Sequence, residues 1–350
     1  MKKYKKASDI KVGVVGYGGS FNMGRQHLSQ MKKAGMTPFA VCELDPARLA
    51  AAEEDFPGIE AYDSFDAMLK QSEVHLLVHI TPHNLHFPLA MKCVKAGKHV
   101  VTEKPFVVTT SQADKLIAAA EKQDVMVSTY HNRHWDGWIV RAVREIVGKN
   151  IIGEVYKIDA YMGNYAMPGP WWRTSRSVSG GILYDWGVHL LEYCLQVIPS
   201  TITEVSGFAQ NGYWEKQSPK NFPWRGDMNE DEATAVVRFD NGAFVNLCVS
   251  QLGSYPATDI LTFHGTKGSY AMDFQHWTTR IANRKGELVE KKGKHPKSDG
   301  GKIFYQNIAE HLTGQAELVI TPEWARRPIH ILDLASKSAA QNKALKAKYG

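Results

Sequence analysis

Long hydrophobic runs are missing from this 350-residue sequence, and no stretch approaches the roughly 18 consecutive apolar residues that a membrane-spanning helix needs. The basic start MKKYKK is not followed by the apolar segment of a secretory signal and leads directly into a strand-like pattern. We therefore expect a cytoplasmic protein with no membrane partner. The 43% of hydrophobic residues is enough for a sizeable core.

Cysteine is scarce, and none of the four cysteines forms a Cys-x-x-Cys pair. All four have apolar neighbours in the sequence, so we expect buried, reduced thiols instead of disulfides or a metal site. Histidines are more frequent, but His75 and His79 would lie about 13 Å apart on a strand. One ion could not join them there, so we expect no metal.

The net charge of +6 comes without a nucleic-acid recognition motif. Much of the lysine is concentrated at residues 2–6 and in the segment 284–302, which we interpret as a tail and as a hairpin with a solvated loop. We therefore expect no nucleic-acid partner.

Up to about residue 130, apolar runs alternate with helical patterns, and there is no internal repeat. The runs that predict strands are 10–16, 38–43, 74–80, 98–103 and 125–130, and the helical stretches lie near 23–34, 46–55, 64–71, 84–96 and 111–122. This alternation predicts an α/β domain with a parallel sheet covered on both faces.

The first predicted strand ends in a glycine-rich turn, after which a helix begins. Such a turn lets backbone amides approach a pyrophosphate, and the helix directs its positive end at the anion. The third glycine, Gly24, comes three residues later than in the usual pattern, so the loop must be longer. The candidate phosphate contacts are Gly16, Gly18, Gly19, Ser20, Phe21, Asn22 and Met23.

Glu43 ends the second predicted strand, about 20 residues beyond the turn. A carboxylate there can accept hydrogen bonds from the adenosine ribose and would repel a 2′-phosphate. No arginine follows it directly. We therefore expect NAD as the cofactor in preference to NADP.

Two further motifs carry side chains suited to chemistry. Lys104 follows the fifth predicted strand, at the sheet edge where ligands bind, and could stabilise negative charge on a substrate oxygen. Asp185 and His189 are four residues apart in a predicted helix, where a carboxylate could orient an imidazole for proton transfer. Trp171, Trp172 and Arg173 offer an aromatic wall and a guanidinium for a polyhydroxylated ligand.

With these residues, nearly the whole chain resembles the glucose–fructose oxidoreductase / inositol dehydrogenase / MocA family. The resemblance rests on segments 12–28, 41–48, 81–105, 130–138, 151–158 and 180–193, above all TEKP (102–105) and GGILYDWGVHLLEY. It implies an N-terminal Rossmann domain and a C-terminal α+β domain with a large, mostly antiparallel open sheet. It also implies NAD(P)-dependent oxidation or reduction of sugars, cyclitols or related polyols.

The resemblance assigns catalysis to Lys104, Asp185 and His189. It adds Thr81, Pro82, Asn84, His86, Glu103, Lys104, Asn132 and Arg133 to the cofactor contacts. The substrate wall is expected from Trp171, Trp172, Arg173, Tyr161, Tyr184 and Trp186. Two alternatives remain: an NAD-dependent enzyme that cleaves glycosides or eliminates through transient oxidation, and a non-catalytic sugar-sensing protein.

The C-terminal half predicts strands over 154–162, 233–240, 243–250, 258–264 and 269–274, with an Asn-Gly hairpin turn at 241–242. We expect a Rossmann domain over 1–131 and a substrate-binding domain over 132–350, with a helix over 322–345 that packs back near the first domain. The open face of the second sheet would favour a homodimer or homotetramer.

Overall fold

A computed structural model describes residues 3–18, 22–255, 257 and 259–349. They form two compact units. The first comprises Met1–Arg133 and Asp299–Arg326, and the second comprises His134–Ser298 and Arg327–Gly350. Within the described residues, no helix is both long and apolar enough to cross a membrane.

The first unit is built on a six-stranded parallel sheet whose spatial order is 3-2-1-4-5-6. The strands are β1 (Lys11–Val15), β2 (Thr37–Cys42), β3 (Glu60–Tyr62), β4 (Leu76–His79), β5 (His99–Thr102) and β6 (Val127–Thr129). The helices that alternate with them are α1 (Met23–Lys33), α2 (Pro46–Asp55), α3 (Phe65–Gln71), α4 (His83–Lys95) and α5 (Thr110–Gln123). This is the doubly wound arrangement that the alternating pattern predicted.

The second unit is built on a nine-stranded sheet. Among the strands of this sheet that the structure describes, only β7 and β10 pair in parallel. The strands are β7 (Val155–Gly163), β8 (Ile202–Gln210), β9 (Glu232–Phe239), β10 (Phe244–Ser250), β11 (Leu261–Gly265), β12 (Gly268–Met272), β13 (His276–Ala282), β14 (Leu288–Lys294) and β15 (Leu345–Lys346). The remaining helices are α6 (Gly137–Val143), α7 (Arg176–Ser179), α8 (Gly187–Val197), α9 (Tyr213–Gln217), α10 (Gly300–Leu312) and α11 (Pro322–Gln341). The expected fold class is confirmed, whereas the oligomeric state stays a prediction.

Four strands of the structure are not predicted from the sequence: β3, β8, β13 and β15. The expected strand over 258–264 begins at Leu261 in the structure, and Thr258 lies outside the described residues. In the segment 284–302, the hairpin interpretation holds for β14, which pairs with β13 and is exposed along almost its whole length.

The expected single boundary after residue 131 places Asp299–Arg326 in the second domain, whereas this segment belongs to the first unit. Its helix α10 buries Phe304 and Tyr305 completely. Both aromatic rings pack against Tyr130, which follows β6. Burial of these large rings holds the segment on the first unit. No local sequence pattern predicts this contact, because Tyr130 lies far from the segment in the chain.

Candidate functional site

The carboxyl edge of the six-stranded sheet gathers the residues that the sequence predicted as cofactor contacts. Val15 at the end of β1 is paired with Cys42 and with His79. Further along the sheet, Thr102 is paired with His79 and with Thr129. Because these last strand residues are in register, the segments that begin at Gly16, Glu43, Ile80, Glu103 and Tyr130 all leave the same edge.

The glycine turn at this edge depends on three glycines, two for their backbone conformation and one for a close approach. Gly16 and Gly18 have φ values of +101° and +114°, which side chains other than glycine rarely adopt. A Cβ on Gly24, in the first turn of α1, would lie 2.7 Å from the carbonyl oxygen of Gly16. Gly24 therefore allows the close packing of helix and turn that the third glycine of the usual pattern provides.

Asn22 precedes α1 in the left-handed conformation, and Met23 is the first residue of the helix. The predicted contacts Gly19, Ser20 and Phe21 lie outside the described residues.

We expect Gly24→Ala to lower the free energy of unfolding by about 1–3 kcal/mol, because the added methyl meets backbone atoms that cannot rotate away. NADH binding should weaken as well, since the turn would have to shift. Urea unfolding and titration of NADH fluorescence measure the two effects. Gly148→Ala is the matched control, because a Cβ there meets nothing within 4 Å. Equal stability and NADH affinity of the two variants would contradict the packing role of Gly24.

Glu43 follows β2 and is held by the backbone of its surroundings. Its carboxylate accepts the amide of Tyr17, in the glycine turn, at 2.7 Å. It also accepts the amides of Leu44 at 2.7 Å and Asp45 at 3.1 Å. Glu43 thus ties the end of β2 to the glycine turn. Arg48, which the sequence reading passed over, lies against Gly18, where a Cβ would come within 2.8 Å of its side chain.

The predicted cofactor contacts that follow β4 differ in their exposure to solvent. Thr81 and Pro82 form the loop, and Asn84 is exposed in the first turn of α4. His86 is buried instead, with its ring nitrogens 2.7 Å from the carbonyl oxygen of Pro105 and 3.0 Å from that of Thr81. Its ring therefore connects the loop after β4 with the turn after β5.

Lys104 and Glu103 form that turn after β5. The Lys104 amide donates to Glu103 Oε2 at 3.0 Å, and the peptide bond from Lys104 to Pro105 is cis. Lys104 is half-buried. Asn132 and Arg133 stand three and four residues beyond the end of β6, at the start of the 3₁₀ helix Asn132–Trp135.

In the second unit, a tight turn leads to the predicted catalytic residues. Gly180 and Gly181 have φ values of +94° and +129°. The buried Glu230 carboxylate accepts the amide of Ile182 at 3.0 Å and forms an ion pair with Arg176 at 2.8 Å. A Cβ on Gly181 would lie 3.0 Å from that carboxylate. The glycine pair and Glu230 together fix where the following residues begin.

The prediction that one helix carries both Asp185 and His189 is wrong. Ile182–Tyr184 is a 3₁₀ helix, Asp185 follows it, and α8 begins only at Gly187. Asp185 and His189 therefore do not occupy one face of a continuous α-helix. The backbone between the turn held by Glu230 and α8 therefore departs from regular α-helical geometry.

Asp185 lies instead beside the guanidinium of Arg173, one of the predicted substrate-wall residues. Arg173 Nε is 3.8 Å from Asp185 Oδ1. The same guanidinium lies over the rings of Trp172 and Trp171, 4.4 Å and 5.0 Å from their centroids. Cation–π contacts of this kind stabilise and orient an arginine. The structure thus brings three of the predicted residues around the guanidinium of a fourth.

His189 has its own aromatic surroundings on α8. Its ring lies 5.6 Å from that of Trp186, which in turn lies 5.4 Å from Phe274. Phe274 also meets the edge of Trp138 at 5.3 Å. Phe274 is predicted as the last residue of a strand, and Trp138 has no predicted role. Neither residue has a local signal, because only the packing of the loop after β12 brings them to α8.

Two of the predicted wall residues point elsewhere. Tyr184 is buried, and its ring packs over Gly180. Tyr161 on β7 is paired with Cys248, while its neighbour Ala160 is paired with Leu247, which packs against Gly187 of α8. Because successive side chains alternate between faces, Tyr161 points to the sheet face opposite α8.

Glu192, which the sequence reading missed, anchors α8. Its side chain is 1% exposed, and Oε1 lies 2.5 Å from His134 Nδ1. Oε2 accepts from Gln196 at 3.0 Å. A buried carboxylate with both oxygens bonded fixes the rotation of the helix that carries His189. Within the described part of the chain, no group of His, Cys, Asp or Glu side chains could hold a metal ion.

Comparison with known proteins gives two family matches in one chain. Residues 10–131 match the family described as "Oxidoreductase family, NAD-binding Rossmann fold". Residues 140–271 match the GFO/IDH/MocA C-terminal domain. Both matches lie in the order and positions in which the two sheets occur.

Individual relatives are distant but similar over most of their length. The chain is 24% identical to scyllo-inositol 2-dehydrogenase (NADP(+)) IolW of Bacillus subtilis, covering 99% of this chain and 98% of the relative. It is 25% identical to myo-inositol 2-dehydrogenase of Thermotoga maritima, covering 78% of each. A levoglucosan dehydrogenase solved with NADH and levoglucosan has the same fold, with a TM-score of 0.80 at 18% identity over 97% of this chain and 99% of that one.

Proposed function

Because the chain belongs to the GFO/IDH/MocA oxidoreductase family, we propose that it transfers hydride between NAD and a secondary hydroxyl or ketone of a sugar, cyclitol or related polyol. As a member of this family it is an NAD-binding oxidoreductase, and the expected enzyme class and cofactor are confirmed. The observation that carries the proposed reaction is the position of Lys104 beside Glu103, at the sheet edge that also carries the glycine turn and Glu43.

The residues at this edge fit a dinucleotide. Gly16 lets the turn pack directly against the loop after β4, since a Cβ there would lie 2.4 Å from the carbonyl oxygen of Ile80. Glu43 stands where a ribose would meet a carboxylate. We assign the cofactor to this turn, Glu43, the loop after β4, Glu103 and the Asn132-Arg133 pair. Held by these residues, the oxidised cofactor would supply the hydride acceptor for a carbinol carbon, and the reduced cofactor would supply the hydride donor.

The proton and the oxygen are handled by this chain's own side chains. In oxidation, His189 takes the proton of the substrate hydroxyl as general base. The Lys104 ammonium donates a hydrogen bond to the same oxygen and stabilises its developing negative charge. Asp185 binds a neighbouring hydroxyl or orients His189. Arg173, held over Trp171 and Trp172, binds further hydroxyls of the polyol together with Trp186 and Phe274.

A panel of sugars, inositols and sugar acids, each with NAD⁺ and with NADP⁺, tests the proposal by the appearance of NADH or NADPH absorbance. We expect turnover of at least one polyol with a free secondary hydroxyl, and a higher kcat/KM with NAD⁺ than with NADP⁺. Reduced cofactor should form in equal amount to ketone. Product formed from a glycoside without net change in NADH, or ligand binding without turnover of any compound, would refute net hydride transfer.

A further inference from the structure

Two buried side chains, Tyr305 and His27, and the partly buried Glu103 form a continuous series of hydrogen bonds behind Lys104. The hydroxyl of Tyr305, on α10, bonds to His27 Nδ1 on α1. His27 Nε2 lies 2.9 Å from Glu103 Oε1. The other Glu103 oxygen accepts the Lys104 amide at 3.0 Å. Helices from opposite ends of the sequence thus meet at the turn that carries the lysine.

One tautomer of His27 gives every hydrogen bond in this series a donor. Burial raises the pKa of Tyr305 well above its usual value, so the hydroxyl keeps its proton. When this hydroxyl donates a hydrogen bond to His27 Nδ1, the tautomer with hydrogen on Nε2 donates to Glu103. Burial alone would raise the pKa of Glu103, but the hydrogen bond from His27 and the nearby Lys104 outweigh it and leave that pKa below its usual value.

Packing leaves little freedom to this arrangement. His27 and Tyr305 are completely buried. The Tyr130 ring meets His27 edge-on at 4.4 Å and stacks on Tyr305 at 5.6 Å. A Cβ on Gly301 would lie 2.2 Å from the Gln30 side chain of α1, so the first turn of α10 packs directly against α1. The Tyr305 hydroxyl is therefore held against His27 by the close contact of two helices.

We propose that His27 and Tyr305 are positioning residues for hydride transfer, which hold the Glu103 carboxylate in place so that its second oxygen fixes the backbone of Lys104. This inference rests on the proposed role of Lys104. It gives the segment 299–326 a part in the reaction, although the segment lies almost 200 residues beyond Lys104 in the sequence. The imidazole acts through Glu103 and has no contact with the reacting atoms.

His27→Phe keeps an aromatic ring and removes both hydrogen bonds. We expect kcat to fall about tenfold or more, since a hydrogen bond to a charged group is lost, while KM for the polyol changes little. The acid limb of the kcat profile should move to higher pH, because Glu103 without its donor titrates at a higher pKa. His27→Gln, whose amide can donate to the same carboxylate, should recover most of both losses.

Tyr305→Phe removes a single oxygen and decides the matter if His27→Phe does not fold. We expect a drop in kcat of about threefold, with a smaller shift of the acid limb in the same direction. The matched controls are His99→Gln, at the opposite end of β5, and Tyr270→Phe, a buried tyrosine of the second unit. Both should keep the wild-type pH profile, even if their thermal stability falls.

A readout without substrate separates this inference from the proposed function. The rate at which an amine-reactive acylating reagent labels Lys104, followed against pH by peptide mass spectrometry, should change in His27→Phe and Tyr305→Phe and remain wild-type in both controls. If no polyol is turned over by the wild type, the proposed function fails and this labelling alone decides the positioning role. Wild-type kcat profiles or wild-type labelling of Lys104 in both folded variants would overturn the inference.

Discussion

Lys104→Ala is expected to lower kcat for polyol oxidation by about 100-fold or more. The ammonium is proposed to stabilise charge that develops on the substrate oxygen as hydride leaves, so its loss raises the barrier to hydride transfer much more than it weakens NADH binding. Its backbone is already fixed by Glu103, and the strand before it is buried, so the fold does not depend on the side chain. Steady-state kinetics and NADH fluorescence titration measure the two quantities separately.

Two further variants sharpen this result. Lys104→Arg keeps the positive charge but replaces a compact ammonium by a longer, planar guanidinium, and we expect it to recover only a small part of the loss. Lys95→Ala removes an exposed lysine at the end of α4 and should leave kcat unchanged. If Lys104→Ala turned over a proven substrate at the rate of Lys95→Ala, the assigned role of Lys104 would be wrong.

The second large effect is expected for His189. His189→Ala should lower kcat by about 100-fold or more, because the proton of the substrate hydroxyl then has no positioned base. The imidazole is almost fully buried on α8 and lies against Trp186, so its loss also leaves a small cavity. A decrease in melting temperature of a few degrees is therefore expected together with the kinetic effect.

A second variant separates the lost base from the lost packing. His189→Gln fills most of the same space without a group that accepts a proton near neutral pH, and kcat should stay low while stability recovers. His264→Ala removes a histidine that pairs with Asp159 at 3.0 Å, on another strand of the second sheet, and should keep wild-type turnover. Near wild-type kcat in His189→Gln would show that another group takes the proton.

Sequence periodicity was sufficient for the strands that are buried on both faces. Residues 11–15 and 76–79 are almost wholly apolar, and such runs occur in parallel sheets between two layers of helices. The Asn-Gly turn between β9 and β10 was equally clear. In contrast, β14 has the sequence LVEKKGK and is exposed, so it has no apolar face from which a strand could be predicted. β3, with three half-buried residues, is too short for any period.

The candidate site also contains positions that the sequence predicts and positions that it does not. Positions directly after a buried strand, such as Glu43 and Lys104, were predictable, because parallel strands must end at a common edge. The orientation of Asp185 was not, since the Gly180-Gly181 turn and the distant Glu230 carboxylate decide where α8 begins. The apolar spacing typical of a helix continues through this turn in the sequence, although the backbone there is not one continuous α-helix.

Local periodicity predicts the fold class and the sheet edge that carries the candidate cofactor contacts, and the matching motifs indicate the family, because each of these depends on residues close together in the chain. Tertiary packing alone shows that α10 joins the first unit, that Tyr305 bonds to His27 from 278 residues away, and that Arg173 lies beside Asp185. These contacts arise from burial of rings and pairing of charges between distant segments. Such interactions depend on the packed chain and leave no period or spacing in the sequence.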